Sequence, residues 1–356
     1  MAIKNKTWRR LQQNKGALIG IVIIGCFFLI AIFAYLIAPD SSTNANRQIV
    51  EIGRKKPGYK QTFYLIKNNT IPTTWWQQLA NGTNDAYTYI PIQSFVVNND
   101  SIYIQKYIDD NITQTQVYAV PATTNIDDII VTKKFVFGTD NFGRDTWSRI
   151  VIGTRVSLSV GLIAVLISLS LGIYLGAMAG YYKGWVDAAI MWLINVVWSI
   201  PTLLLVFAFT IAMGKGFWQV FIAVGLTMWV NVARLVRGQV LKERTMQYVE
   251  AAKVMGFSNF RILFKHILPN IFGPIIVIAA SNFASAIIIE AGLSFLGIGV
   301  QAPKPSWGLM IKENYNLILT NNPILALAPG FAIMLLVLAF YLLGNGLRDA
   351  LNVRGK

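Results

Sequence analysis

The chain of 356 residues alternates between long apolar runs and short polar joints. Residues 17–38 form one unbroken apolar run, and charge-free stretches follow at 156–182, 188–214, 216–233 and 266–289. A sixth lies within 314–347, starting near Pro323. A helix needs about 20 residues to cross a hydrocarbon core, so the pattern predicts an all-α polytopic membrane protein with six transmembrane helices. One interval breaks the rhythm. Between 40 and 136 Asn, Thr, Gln and Tyr dominate, and Pro57, Pro72, Pro91 and Pro121 punctuate short β-branched or alternating runs. Strands are expected at 62–66, 86–97, 101–108 and 113–120, with turns at 98–100 and 109–111. Residues 39–136 therefore read as a β-rich insertion outside the membrane, between the first and second spans.

Composition agrees: 54% of residues are hydrophobic and 13% charged, with the apolar ones in runs too long for a soluble core. The net charge of +15 suggests nucleic acid at first sight, but the basic residues sit beside the ends of spans. Lys4, Lys6, Arg9, Arg10 and Lys15 precede the first run without an acid among them, which places the N-terminus in the cytoplasm. Counting crossings puts 234–265 inside as well. There Arg234, Arg237, Lys242, Arg244, Lys253, Arg261 and Lys265 outnumber Glu243 and Glu250. Arg348, Arg354 and Lys356 end the chain on the same side, while the short outer loops carry only Lys215, and Lys304 with Lys312. The first run is longer than a signal-peptide core and residues 35–40 offer no small-residue cleavage pattern, so it reads as a retained anchor. Cys26, the sole cysteine, lies inside it and excludes an intrachain disulfide.

The most informative polar joint is 247–269, QYVEAAKVMGFSNFRILFKHILP. Ala251 and Ala252 are small helix formers beside Glu250, and Gly256 supplies the permissive backbone of a sharp turn. Ser258 can cap a second helix, and Pro269 stands where the next span can begin. Two short helices at an angle make a compact knob. With Glu250-Ala251-Ala252, Gly256, His266 and Leu268-Pro269 at these offsets, the segment resembles the EAA loop of ABC importer permeases. The family usually has Ile at position 266, although its peptide-importer members often read HILPN as here.

Two further segments narrow the resemblance. Gly138, Thr139, Asp140, Gly143, Arg144 and Asp145 belong to FGTDNFGRD, followed by Trp147-Ser148-Arg149. This is similar to the GTDNxGRD segment before the second span in permeases of the oligopeptide and dipeptide importer family. On physical grounds it is a turn-rich lid in which Arg144 and Asp145 can pair with neighbouring loops. It fails as a catalytic constellation, since no nucleophile, histidine or ligand set accompanies Asp140 and Asp145. Residues 290–308, EAGLSFLGIGVQAPKPSWG, look like the segment that marks the C-type permease of that family.

The resemblance implies a translocation subunit, not an enzyme, in the bacterial inner membrane with both termini cytoplasmic. It also implies a homologous second permease, two ABC ATPase subunits that hold ATP and Mg, and an extracytoplasmic substrate-binding protein. No cofactor is expected on this chain, and its surroundings would be the lipid bilayer and not nucleic acid. Residues 1–38 would be the cytoplasmic N-terminus and anchor, 39–136 the insertion, and 137–356 the permease core with its coupling loop at 237–270. Peptide is the implied substrate. A nickel or other small-solute importer is the alternative within transport, and a membrane enzyme or scaffold the alternative outside it. The insertion is either a docking surface for the binding protein or a shielding decoration.

Several single residues stay open. Glu290, an acid at the edge of a span, either fixes the end of the fifth span by accepting loop N–H groups or meets a cationic part of a passing substrate. Ala279, Ala280, Ser281, Ala284, Ser285 and Ala286 let that span approach neighbours closely, as at a subunit interface. The lone histidine, His266, excludes a His-based metal cluster and packs or hydrogen-bonds in the loop. Trp185, Trp192, Trp198, Trp218 and Trp229 read as span and interface anchors. Pro201 and Pro329 fall within spans, as moving kinks or fixed bends. Gly214-Lys215-Gly216 lacks the glycine spacing and Ser/Thr of a phosphate loop.

Overall fold

The computed structural model describes residues 2–69, 73–98, 101–120, 125–214, 216–319 and 322–351, with side chains from residue 8 onward. Pro72, Pro121, Lys215, Arg354, Lys356 and part of the 98–100 turn lie outside the described residues, as do the side chains of Lys4 and Lys6.

Among the described residues, five helices are long and apolar enough to cross a membrane: Lys15–Ile32, Thr146–Tyr182, Phe217–Glu243, Phe272–Phe295 and Ile324–Leu351. The run expected as the third span is instead two helices, Gly184–Trp198 and Thr202–Met213, bent by 91°. It makes a sixth span only if the bent pair counts as one. The cause is local. Pro201 has no N–H to give and disfavours helical geometry at Ile200, so the helix stops at Trp198 and restarts beyond the proline. Pro329 is tolerated inside Ile324–Leu351.

The chain divides into two compact units. The first comprises residues 1–28, 157–301 and 333–356. One of its close helix contacts is a glycine stripe: Gly172, Gly176 and Gly180 face Trp229, Ala233 and Arg237 of Phe217–Glu243. A Cβ at Gly176 would stand 2.4 Å from the Ala233 carbonyl oxygen, so backbones meet where side chains would collide. Gly20 against Ala339, and Gly346 against Ala17, do the same between the N-terminal helix and Ile324–Leu351. Ala280, Ala284 and Ala286 are buried within this chain.

The second unit comprises residues 29–156 and 302–332. It holds a five-stranded antiparallel sheet of order β4-β3-β2-β1-β5. The strands are β1 Tyr59–Lys67, β2 Tyr87–Asn98, β3 Ser101–Asp109, β4 Ile112–Ala119 and β5 Ile130–Phe135. The first four match the expected runs to within a few residues. β5, which pairs with β1, was not foreseen, because IVTKKF directly precedes the turn-rich motif and is too short to show a pattern. Alternation along β1 sends Phe63 and Leu65 to one core with Ile49, Ile52 and Tyr107, and Tyr64 to another with Ile92, Ile102 and Ile104.

Candidate functional site

The segment 247–269 folds as the two-helix knob its spacing implies. Gln247–Val254 is the first helix, and it ends in a Schellman motif. Phe257 N–H donates to the Ala252 carbonyl at 3.1 Å and Gly256 N–H to that of Lys253 at 2.9 Å, with Gly256 at φ 76°. This fixes the offset between Ala252 and Gly256: one is the buried third-from-last helical position, the other the left-handed residue four places on. Ser258 then caps Asn259–Arg261, its hydroxyl accepting from Arg261 N–H at 3.4 Å. A π-helical turn, Ile262–Ile267, leads into Leu268–Asn270 with Pro269 in its first turn. Since Pro269 cannot donate to the Lys265 carbonyl, the wider turn accommodates the lost bond.

The base of the knob is apolar. Val249, Ala252, Ile262, Leu263 and Ile267 are buried against Ala177, Tyr181, Val232, Val236 and Val240 of the Thr146–Tyr182 and Phe217–Glu243 helices, with Leu268 packed alongside. Tyr181 donates its hydroxyl to Asn259 at 2.8 Å. His266 stacks on Phe257 with centroids 5.7 Å apart. The tip is the opposite: Glu250, Ala251 and Pro269 are exposed, and so are Val254 (89%), Met255 (63%) and Phe260 (68%). These three apolar side chains were missed by motif reading, although their place between the fixed residues was visible in the sequence.

The outer motif is built differently. Gly138 and Gly143 adopt φ 76° and 72°, and a Cβ at Gly143 would fall 1.7 Å from the Ile49 carbonyl oxygen. Thr139 accepts from Lys55 N–H at 3.0 Å and donates to the Ile52 carbonyl. Asp140 accepts from Phe142 N–H, Arg144 N–H and Arg144 Nε at 2.9, 3.1 and 2.6 Å. Arg144, buried, reaches Glu313 of the helix Trp307–Asn314 at 2.8 Å and Asn46 at 3.3 Å. Arg149, fully buried, stands 3.7 Å from both Asp140 and Glu313. Glu313 was absent from the sequence reading because it lies far along the chain, and Arg149 was quoted beside the motif without a partner. Arg144 does pair with a neighbouring loop, but Asp145 does not. It caps its own helix, accepting from Ser148 N–H at 3.0 Å, and Ser148 Oγ accepts from Asp40 N–H at 2.9 Å. Burial pushes the Asp145 carboxyl above the usual aspartate range, against the opposing hydrogen bonds of Ser148.

Glu290 is fully buried. Its Oε1 accepts from the Ser294 hydroxyl, one turn further along the same helix, at 2.6 Å, and Ser294 Oγ in turn accepts the loop N–H of Val300 at 3.0 Å.

At the break of the bent pair lies a cavity of about 340 Å³. Its polar lining is uncharged: Thr202, Thr227, Asn231, Asn282 and Ser285, beside Trp198. Trp198 donates Nε1–H to Asn231 at 3.2 Å, and its ring lies 3.6 Å from the Arg234 guanidinium. The Arg237–Asp187 pair, at 2.5 and 2.7 Å, clamps Gly184–Trp198 to Phe217–Glu243. Among the described residues, no group of three or more His, Cys, Asp or Glu side chains is arranged to hold a metal ion.

Comparison with known proteins gives this architecture its class. Residues 172–354 match the model of the binding-protein-dependent transport system inner membrane component, and residues 5–57 that of the N-terminal TM domain of oligopeptide transport permease C. The chain belongs to the family of binding-protein-dependent transport permeases, multi-pass inner-membrane subunits that are not themselves catalytic. It is 44% identical over 220 residues to the dipeptide transport system permease protein DppC of Alkalihalophilus pseudofirmus, covering 62% of this chain and 72% of that one. Identity and coverage are the same for the glutathione transport system permease protein GsiD of Pectobacterium atrosepticum. For the oligopeptide transport system permease protein OppC of Bacillus subtilis identity is 39% over 216 residues, covering 61% and 70%. Among solved structures, the methionine ABC transporter MetNI in inward-facing conformations aligns with a TM-score of 0.48 and 16% identity, covering 56% of this chain and 95% of that one.

Proposed function

We propose that this chain is the C-type permease subunit of an ATP-driven peptide importer and lines half of its translocation pathway. The observation that carries the reading is the knob at 247–269, whose base is buried in the chain's own core while Glu250, Val254, Met255 and Phe260 face outward. Such a knob transmits force: a partner that grips the tip moves the packed helices beneath it. The partners are two ABC ATPase subunits carrying ATP and Mg, a homologous second permease and an extracytoplasmic binding protein. Closure of the ATPases shifts the permease between inward- and outward-open states, which requires a tip that docks more tightly in one state than in the other.

The relatives' names, dipeptide, oligopeptide and glutathione permeases, support peptide as the cargo. The uncharged amide and hydroxyl lining of the cavity suits the same cargo, because such groups both donate to and accept from a peptide backbone without selecting side-chain charge. Glu290 and the 138–145 motif serve architecture in this reading. Residues 39–136 form an insertion that receives the binding protein. Both termini lie in the cytoplasm.

Reconstituted with its partner subunits, the transporter should hydrolyse ATP faster when a peptide-loaded binding protein is added. Absence of stimulation by any di- or oligopeptide, with stimulation by another solute, would overturn the cargo. Single cysteines at Asn69 and Ser258, in a Cys26→Ala background, should label with an impermeant maleimide from opposite sides. Labelling of both from outside would overturn the orientation. Replacing residues 42–130 by a short Gly/Ser linker should weaken delivery by the binding protein yet spare ATPase assembly, and an unchanged affinity and transport rate would leave the insertion as decoration.

A further inference from the structure

The β-rich insertion is tied to the ends of two apolar runs at once, and the tie ends in exposed tryptophan. The helix Trp75–Asn81, between β1 and β2, packs on the short helix Ala34–Ile37 that closes the first apolar run. Gly82, at the end of Trp75–Asn81, has no room for a Cβ because the Tyr35 ring stands 2.7 Å from where it would be. Ser41 accepts from Thr83 N–H at 2.8 Å, extending the seam. On the other side Arg155 donates to the carbonyls of Leu79 and Ala80 at 3.2 and 2.9 Å, which caps the helix C-terminus with a cation. The same guanidinium lies 5.2 Å from the Tyr35 ring.

Tyr35 stands three residues before the end of the first apolar run, and Arg155 one residue before the start of the second. Two spans that change from apolar to polar at one level mark the membrane boundary, and Trp75–Asn81 is hydrogen-bonded and packed at that level. Its N-terminal turn presents Trp75, 55% exposed, and Trp76, 71% exposed, with ring centroids 4.2 Å apart. Around the helix to which it is docked, Phe33, Leu36 and Ile37 are also exposed. Indole is the side chain that prefers the headgroup region, with an apolar ring and one N–H for water or ester oxygens.

We propose that Trp75 and Trp76 form a membrane-surface anchor that seats the insertion on the interfacial layer of the leaflet on its own side. The insertion then stands at a fixed height above the bilayer and does not swing from its two chain connections. The occupant of the tryptophan face is phospholipid, selected by continuity with the lipid-facing ends of the spans, and the conclusion is independent of what the transporter carries.

The test uses the full chain with its partner subunits in nanodiscs of three parts phosphatidylcholine to one part phosphatidylglycerol. A nitroxide is attached to Trp76→Cys in the Cys26→Ala background, leaving Trp75 in place. Collisions with oxygen, which concentrates in lipid, are compared with collisions with a water-soluble nickel chelate. Labels at Leu29, exposed on the first span, and at Tyr103, exposed on β3, supply the lipid and water references. The Trp76 label should favour oxygen over the chelate, falling between the references and nearer to Leu29. Trp75→Cys should give the same order. Chelate access equal to that at Tyr103 would overturn the anchor, and protection from both reagents would overturn it in favour of a protein partner covering the face.

Discussion

The knob at 247–269 and the outer motif at 138–149 are both recognised by fixed residue types at fixed offsets, yet they use those residues in opposite ways. In the outer motif almost every functional group is consumed internally: Thr139, Asp140, Arg144 and Asp145 are buried and bonded to their own loop, to Asn46, to Ile52, to Ser148 or to Glu313. In the knob only the base is consumed. Val249 and Ala252 are buried and Gly256 makes the turn, while Glu250 and the apolar tip remain at the surface. A motif of fixed residue types can therefore serve either a fold or a partner, and burial tells which. A charged residue held in a buried pair is a structural commitment, whereas an exposed Val254 or Phe260 is available to whatever docks there.

That contrast is broken most forcefully at Arg144. Arg144→Ala leaves the buried Asp140 and the half-buried Glu313 with one of their two arginine partners gone, a loss of about 3–5 kcal/mol. The variant should show a lower unfolding temperature and reduced membrane level together with reduced transport. A normal melting curve would mean that the outer network does not hold this unit together. Lysine should not rescue it, because a single ammonium cannot reach Asp140, Asn46 and Glu313 at once.

Changes at the knob should instead leave the protein in place and cut the coupling. Phe260→Ala removes an exposed apolar anchor and is expected to weaken ATPase docking by about 2 kcal/mol if it is a binding hot spot. Copurification of the ATPase should drop while the permease level stays constant. Gly256→Val meets no neighbour within 4 Å, so its cost is conformational, about 1–2 kcal/mol for a β-branched residue at positive φ. That lowers the population of the native turn about tenfold, and substrate-stimulated ATP hydrolysis should fall with it. Gly256→Asn should be milder, since asparagine tolerates the left-handed region. Glu250→Lys reverses one exposed charge, worth about 0.2–1 kcal/mol, and its effect should fade as salt is raised. If stability fell in these variants as it does for Arg144→Ala, the division between the two motifs would be wrong.

The smallest expected effect sharpens the outer side. Burial raises the Asp145 carboxyl, so the folded state holds its proton to higher pH than the unfolded chain does. Its contribution to stability is therefore full below the ordinary aspartate value and is lost as pH rises through the folded value. Asp145→Asn keeps the cap to Ser148 but cannot titrate. The unfolding temperature, followed upward in pH from below the ordinary aspartate value to neutrality, should decline less in the variant than in the parent.

The sequence by itself determined the apolar runs, the first four strands, the knob with its turn at Gly256 and cap at Ser258, and the family motifs. All of these rest on interactions between residues close in the chain: periodicity, backbone permissiveness and capping. It was silent on what depends on distant partners. The bend at Pro201 was visible as a proline but not as a 91° break, because whether a proline kinks or breaks a helix depends on what packs around it. Gly172, Gly176 and Gly180 stand at four-residue spacing in plain view, yet only packing against Phe217–Glu243 shows that they are a seam. The pairing of Arg144 with Glu313, 169 positions away, was decided by tertiary structure. Burial makes an ion pair obligatory without saying in advance which acid will answer a given arginine, and only the folded chain brings one within reach.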